Sequence, residues 1–225
     1  MDELFTVNYK DGYANFKRMF KDPSSTKHIL ALAKAVNGPS LKHSFNRLLH
    51  SEKGMAVVMA RPEISDLYPL FKCFDNDSVA ANVIKNQTYP LEMLVRLSKL
   101  GTRNKAYIDS THSYSWMARR YRDTHDIWHT LAGYQMDFFG EICLAAFSYA
   151  QTKAYQWLLV MIMGLYKLKF SPLKLLAVYE AYKRGKKCNW LLEEDYTILL
   201  KENLEECRLR LNLSAPKVYD RLTKN

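Results

Sequence analysis

Apolar residues recur at three- and four-residue spacings along most of the chain, the period of a helix buried on one side. The clearest case is SYSWMARRYRDTHDIWHTLAG, where Met117, Tyr121, Thr124, Trp128 and Leu131 form one stripe. Ser115 can cap the start of this helix, and Gly133 suits the left-handed position at its end. Similar punctuation marks the other helices. Ser24, Ser25 and Thr26 open HILALAKAV, which stops at Asn37-Gly38, and Ser40 opens LKHSFNRLLHSEKG, ending near Gly54. Asp77 or Ser78 starts a short helix, and another runs from Pro90 to Gly101. Asp137 can cap FFGEICLAAFSYAQT, and an apolar helix follows around residues 154 to 168 after a break near Gln151-Thr152. Ser171-Pro172 opens the next helix, with proline in its first turn, and Gly185 closes it. A long helix is expected from Trp190 to Leu211, with Leu200, Leu204, Cys207 and Leu211 on one face, and SAPKVYDRLTKN reads as a loose tail. MAVVMA, residues 55 to 60, is the one good strand candidate, and one strand makes no sheet. The pattern predicts an all-α fold: a single-domain bundle of about eight helices over residues 1–212, with a C-terminal tail at 213–225.

Composition narrows the class. Of 225 residues, 48% are hydrophobic and only 7 are Pro and 8 Gly, so a full core is expected and a linker-rich chain is not. Cys73, Cys143, Cys188 and Cys207 are widely spaced and form no CxxC pair, which argues against a disulfide framework or a zinc-thiolate site. The opening MDELFTVNYK carries two acids before any base, unlike a secretory signal or a basic presequence. The longest apolar run, YQWLLVMIMGLY, is too short to span a bilayer.

The formal charge of +10 favours an anionic partner. Lys167, Lys169, Lys174, Lys183, Arg184, Lys186 and Lys187 face a single acid, Glu180, directly after the apolar run. A greasy segment beside a basic one suits contact with a membrane surface. It equally suits a buried helix followed by a solvated one. The basic residues are not interleaved with a nucleic-acid motif, so no nucleic acid is expected as partner.

The candidate chemistry lies in HDIWHTLAGYQMDFFGE. On a helix His125 and His129 project from one face, about 40° apart, and can share an ion. Asp126 sits about 100° from His125 and reaches the same ion only by leaning over. Glu141 on one straight helix would lie about 18 Å beyond His129 and about 120° around, out of reach. The sequence supplies a bend, with Gly133 to stop one helix and Asp137 to start another, and a hairpin there folds Glu141 back towards His129. Adjacent His and Asp also occur in the HD phosphohydrolases, but His43, His50 and Asp75 fit no spacing that would complete that site. HDxxH differs from the HExxH of zinc proteases in its shorter acid and its nearer downstream carboxylate.

HDxxH followed by eleven residues and Glu resembles the signature of the ubiquinone (coenzyme Q) biosynthesis protein four family. ARRYRDTHD before the motif, GYQMDFFGE within it and WLLEEDYTILLKENLEECRLRLNL near the C-terminus extend the resemblance over about residues 60–212. The turn departs from the family, which often has proline where this chain has Tyr134-Gln135-Met136. The resemblance implies His125, Asp126, His129 and Glu141 as metal ligands, usually discussed with zinc; iron, cobalt, manganese and magnesium are the other candidates. It implies an all-helical protein that dimerises, sits peripherally at an inner or other energy-transducing membrane on the cytoplasmic side, and works with other quinone-biosynthesis proteins. Its ligand would be a prenylated quinone precursor or another isoprenoid lipid. The family is linked to oxidative removal of the ring carboxyl from a prenylated hydroxybenzoate.

A polyprenyl tail needs an apolar slot, and Met161 and Met163, with Ile162 and Leu165, are candidates to line one. Among Arg119, Arg120 and Arg122, the last sits three residues before His125 and is best placed to bind a ring carboxylate or lipid phosphate. Two histidines with carboxylates also resemble the ligand set of non-haem iron oxygenases, and zinc alone does no redox chemistry. The alternatives are a non-catalytic isoprenoid-lipid carrier or assembly scaffold with a structural metal and, more remotely, an HD-like phosphohydrolase.

Overall fold

The computed structural model describes residues 5–22, 25–86, 111–169 and 171–223. Among these, every regular element is helical, and the only β pairing is an isolated bridge between Ser78 and Asn203. The helices are α1 (Tyr9–Lys21), α2 (Thr26–Val36), α3 (Gly38–Leu49), α4 (Glu52–Ala60), α5 (Val79–Asn86), α6 (Ser113–Ala132), α7 (Phe138–Thr152), α8 (Tyr155–Lys167), α9 (Pro172–Lys187), α10 (Tyr196–Leu199), α11 (Leu204–Arg210) and α12 (Lys217–Thr223). Short 3₁₀ turns occupy Ile64–Asp66, Tyr68–Cys73 and Leu191–Glu193. The helix expected over Pro90 to Gly101 lies outside the described residues.

α7 is the centre of the bundle. Ile142 through Phe147 are buried on every side of it, as befits a helix with neighbours all round, and it packs along both α8 and α9. α6 lies against α3 and α5 and buries the whole stripe of Met117, Tyr121, Thr124, Trp128 and Leu131. α1 and α2 form a pair held to the body by a smaller cluster, in which Met19, Leu32, Ala35 and Val36 meet Met163 of α8.

Four expectations need correction. There are twelve α-helices among the described residues rather than about eight. MAVVMA is helix α4, because Ser51 caps it by accepting from Gly54 N at 2.9 Å and Glu52 sits in its first turn. Short apolar runs look alike in strand and buried helix. The long helix over Trp190–Leu211 is broken into the 3₁₀ turn Leu191–Glu193 and two short helices, because Asp195 accepts from Thr197 N and Asn203 from Glu205 N and Glu206 N. Each side chain caps a fresh helix start, yet Leu200, Leu204, Cys207 and Leu211 are still all buried. The supposed loose tail carries α12, whose Tyr219 is buried and whose Val218 N donates to Glu180 Oε2 of α9 at 2.9 Å.

Candidate metal centre

Helix α6 ends where Gly133 takes φ 76°, the left-handed cap, and its N–H donates back to His129 O. Four residues later Asp137 caps the start of α7, its Oδ1 accepting from Gly140 N at 2.7 Å. The hairpin between them is tight: a Cβ on Gly140 would fall 1.9 Å from Gln135 O. Replacing Asp137 with alanine is expected to cost about 1 kcal/mol of stability. In a chain this long that lowers the thermal midpoint by about 3 °C in a circular-dichroism melt. An unmoved midpoint would show that the cap does not hold the turn.

The bend sets Glu141 against both histidines. One ligand atom from each of His125, His129 and Glu141 lies within 4.8 Å of the other two. His129 Nε2 is 3.2 Å from Glu141 Oε1, and His125 Nε2 is 3.5 Å from Oε2. His129 forms the buried back of the site, with 1% of its side chain exposed, while Glu141 is its wettest member at 41%. Trp157 of α8 stacks on the His125 ring, centroids 5.4 Å apart and planes 16° from parallel.

The electrostatics fit a cation. His129 Nδ1 lies 3.1 Å from Tyr134 O, which can only accept, so Nδ1 carries a proton and a neutral ring turns a lone pair out at Nε2. That Nε2 is buried and makes no hydrogen bond. A lone pair facing a carboxylate oxygen is repulsive, and a cation between them relieves it. Burial disfavours a charged His125, but the carboxylates of Glu141 and Asp126 outweigh it and push its pKa up to about 10. Burial acts against a charged Glu141 as well, and the neighbouring His125 overcomes it, holding the carboxyl well below the usual range.

The other predicted residues fall elsewhere. Asp126 Oδ1 lies 3.2 Å from His125 Nδ1, behind the ring and outside the three converging atoms, where a carboxylate orients a metal-binding imidazole. Arg122 chelates Asp123 through Nε and Nη2, at 2.6 and 3.1 Å, and its Nη1 is buried without a partner. Met163 belongs to the smaller cluster beneath α2, Met161 and Leu165 pack on the main core, and Ile162 is exposed. The four therefore spread around α8 instead of lining one slot. Three contributors had escaped the sequence reading: Tyr134 through its carbonyl, Trp157, and Arg184. Arg184 is buried and donates to Ala132 O at 2.9 Å, Tyr134 Oη at 2.5 Å and Ser214 O at 2.8 Å. A signal for it existed, since Arg184 continues the buried stripe of Ala177 and Ala181.

Comparison with known proteins gives the family. The family model described as coenzyme Q (ubiquinone) biosynthesis protein Coq4 matches residues 14–217, more of the chain than the motif-bearing segments alone. The Danio rerio ubiquinone biosynthesis protein COQ4 homolog, mitochondrial, is 24% identical over 205 residues, 88% of this chain and 73% of its own. The Kluyveromyces lactis ubiquinone biosynthesis protein COQ4, mitochondrial, is 25% identical over 222 residues, and this chain spans 64% of its length. A crystal structure from Nostoc punctiforme, of a protein assigned to ubiquinone biosynthesis, superposes with a TM-score of 0.63 at 18% identity, covering 92% of this chain and 98% of that one. That likeness gives the fold, and the family match across nearly the whole length gives the kinship: this chain belongs to the coenzyme Q (ubiquinone) biosynthesis protein Coq4 family.

Proposed function

We propose that the protein binds one divalent metal through His125, His129 and Glu141 and acts on a prenylated aromatic precursor in quinone biosynthesis. The observation that carries this reading is the buried, unbonded Nε2 of His129 facing the Glu141 carboxylate. Asp126 keeps His125 in register from behind. The indole of Trp157 limits access from the α8 side.

Three converging ligands among the described residues favour a working site over a closed structural one, which takes four protein ligands. A bound ion would supply Lewis acidity at the ring carboxylate and, if it is iron, oxygen chemistry for oxidative decarboxylation. The structural-metal scaffold is the second reading, and substrate turnover separates the two. No helix among the described residues is long and apolar enough to cross a membrane. Delivery of a polyprenyl ligand would fall to the α8–α9 surface, where Ile162, Tyr166, Leu173, Leu176 and Tyr179 are exposed beside the lysines.

The test starts from protein purified without chelator or affinity tag. Elemental analysis is expected to find about one divalent ion per chain, and mass spectrometry of the organic extract an isoprenoid lipid. Incubated with a prenylated hydroxybenzoate, oxygen and a reductant, the iron-loaded protein should release carbon dioxide. Metal without turnover selects the scaffold, and a chain that takes up no metal overturns both.

A further inference from the structure

The turn that joins the two halves of the site is held from outside by residues far along the chain. Tyr219 of α12 is buried, and its hydroxyl accepts from Gln135 N at 3.1 Å. Its ring meets Tyr134 edge-on at 5.1 Å and Phe139 at 5.2 Å. Pro216 closes over Gly133, 3.4 Å from where a Cβ would stand. Arg184 reaches between these parts, bonding Ala132 O and Tyr134 Oη in the turn and Ser214 O in the segment before α12. Tyr134, so held, is the residue whose carbonyl fixes His129 Nδ1, and Gln135, Gly140 and Phe139 lead directly into Glu141.

We infer that residues 214–219, clamped by Arg184, act as a brace that positions His129 and Glu141 for metal, with Tyr219 and Arg184 as positioning residues. The role follows from which atoms are held. The brace grips the turn on both sides of the bend, and the turn, with the packing of α6 and α7, sets how far Glu141 stands from His129. Docking of the brace and binding of the ion then favour each other, and the coupling works equally in both directions. This brace has its role only if the three side chains hold a metal, the reading proposed above.

The experiment uses the full chain and zinc. Zinc affinity is measured by competition with a chromophoric chelator, and ligand geometry by the visible spectrum of the cobalt-substituted protein. Tyr219→Phe keeps the ring and removes only the acceptor for Gln135 N. It is expected to weaken zinc binding about tenfold, the lower end for partners that orient ligands, and to alter the cobalt spectrum. Tyr219→Ala should weaken it further. Leu32→Ala, in the separate α1–α2 cluster, is the control: it lowers the thermal midpoint and leaves affinity and spectrum unchanged. In the wild type, zinc should slow amide hydrogen exchange across residues 214–223. Wild-type affinity and spectrum in both Tyr219 variants, or exchange in that segment indifferent to zinc, would overturn the brace and leave the metal site standing. A wild-type chain that binds neither zinc nor cobalt removes the site and the brace together.

Discussion

Glu141→Ala and His129→Ala are each expected to leave the purified protein with less than about a tenth of the metal carried by the wild type. Where His125, His129 and Glu141 share the hold on an ion, as proposed, a protein site of this kind binds with a free energy on the order of 10 kcal/mol. Removing one ligand then subtracts roughly 3 kcal/mol, a loss of more than about a hundredfold in affinity. The two substitutions report differently on the fold. Glu141 is the most exposed of the three, so its loss should barely move the thermal midpoint of metal-free protein. His129 is buried and bonded to Tyr134 O, so its loss should lower that midpoint too. Elemental analysis with a melting curve for each variant decides the matter. Equal metal in wild type and both variants would place the ion elsewhere.

Gly140→Ala should destabilise the protein by about 2–4 kcal/mol, at or just above the upper end of the usual cost of forcing an atom into a packed site. For a chain of this size that is a fall of roughly 5 to 15 °C in the thermal midpoint. The sign is as informative as the size. Glycine to alanine within an exposed helix gains about 1 kcal/mol, but here the added Cβ would stand 1.9 Å from Gln135 O and 2.9 Å from its carbonyl carbon. The turn must open to admit it, which draws Glu141 away from the histidines. Metal content should therefore fall along with stability, although Gly140 is not itself a ligand. A stabilised variant would mean that α7 leaves α6 by another route.

The hairpin could be read from sequence because its signals are local. Gly133 needs its left-handed φ and Asp137 its cap whatever surrounds them, and together they fix the bend to within a residue. The stripe of Met117 to Leu131 was legible for the same reason, since helical period is a property of the segment. What stayed hidden depends on distant partners. Arg184 sits within a run of lysines; its place on the stripe of Ala177 and Ala181 marks it as buried, but its partners, the carbonyls of Ala132 and Ser214, lie far away in sequence. Ser214 to Tyr219 has the composition of a tail and acquires order by docking against Tyr134, Phe139 and Glu180. Asp126 shows the limit at the site itself. Spacing sets it about 100° from His125, the family resemblance implies it as a ligand, and only the rotamer shows its carboxylate turned onto His125 Nδ1.

The position of the brace along the chain also sets an order of events during synthesis. His125, His129 and Glu141 leave the ribosome together, and their hairpin, being local, can form at once. The contacts that hold its turn wait for Arg184 and then for Tyr219. At ordinary rates of chain growth that delay is on the order of ten seconds. A nascent chain stalled between Glu141 and Tyr219 should therefore hold metal more weakly than the released protein.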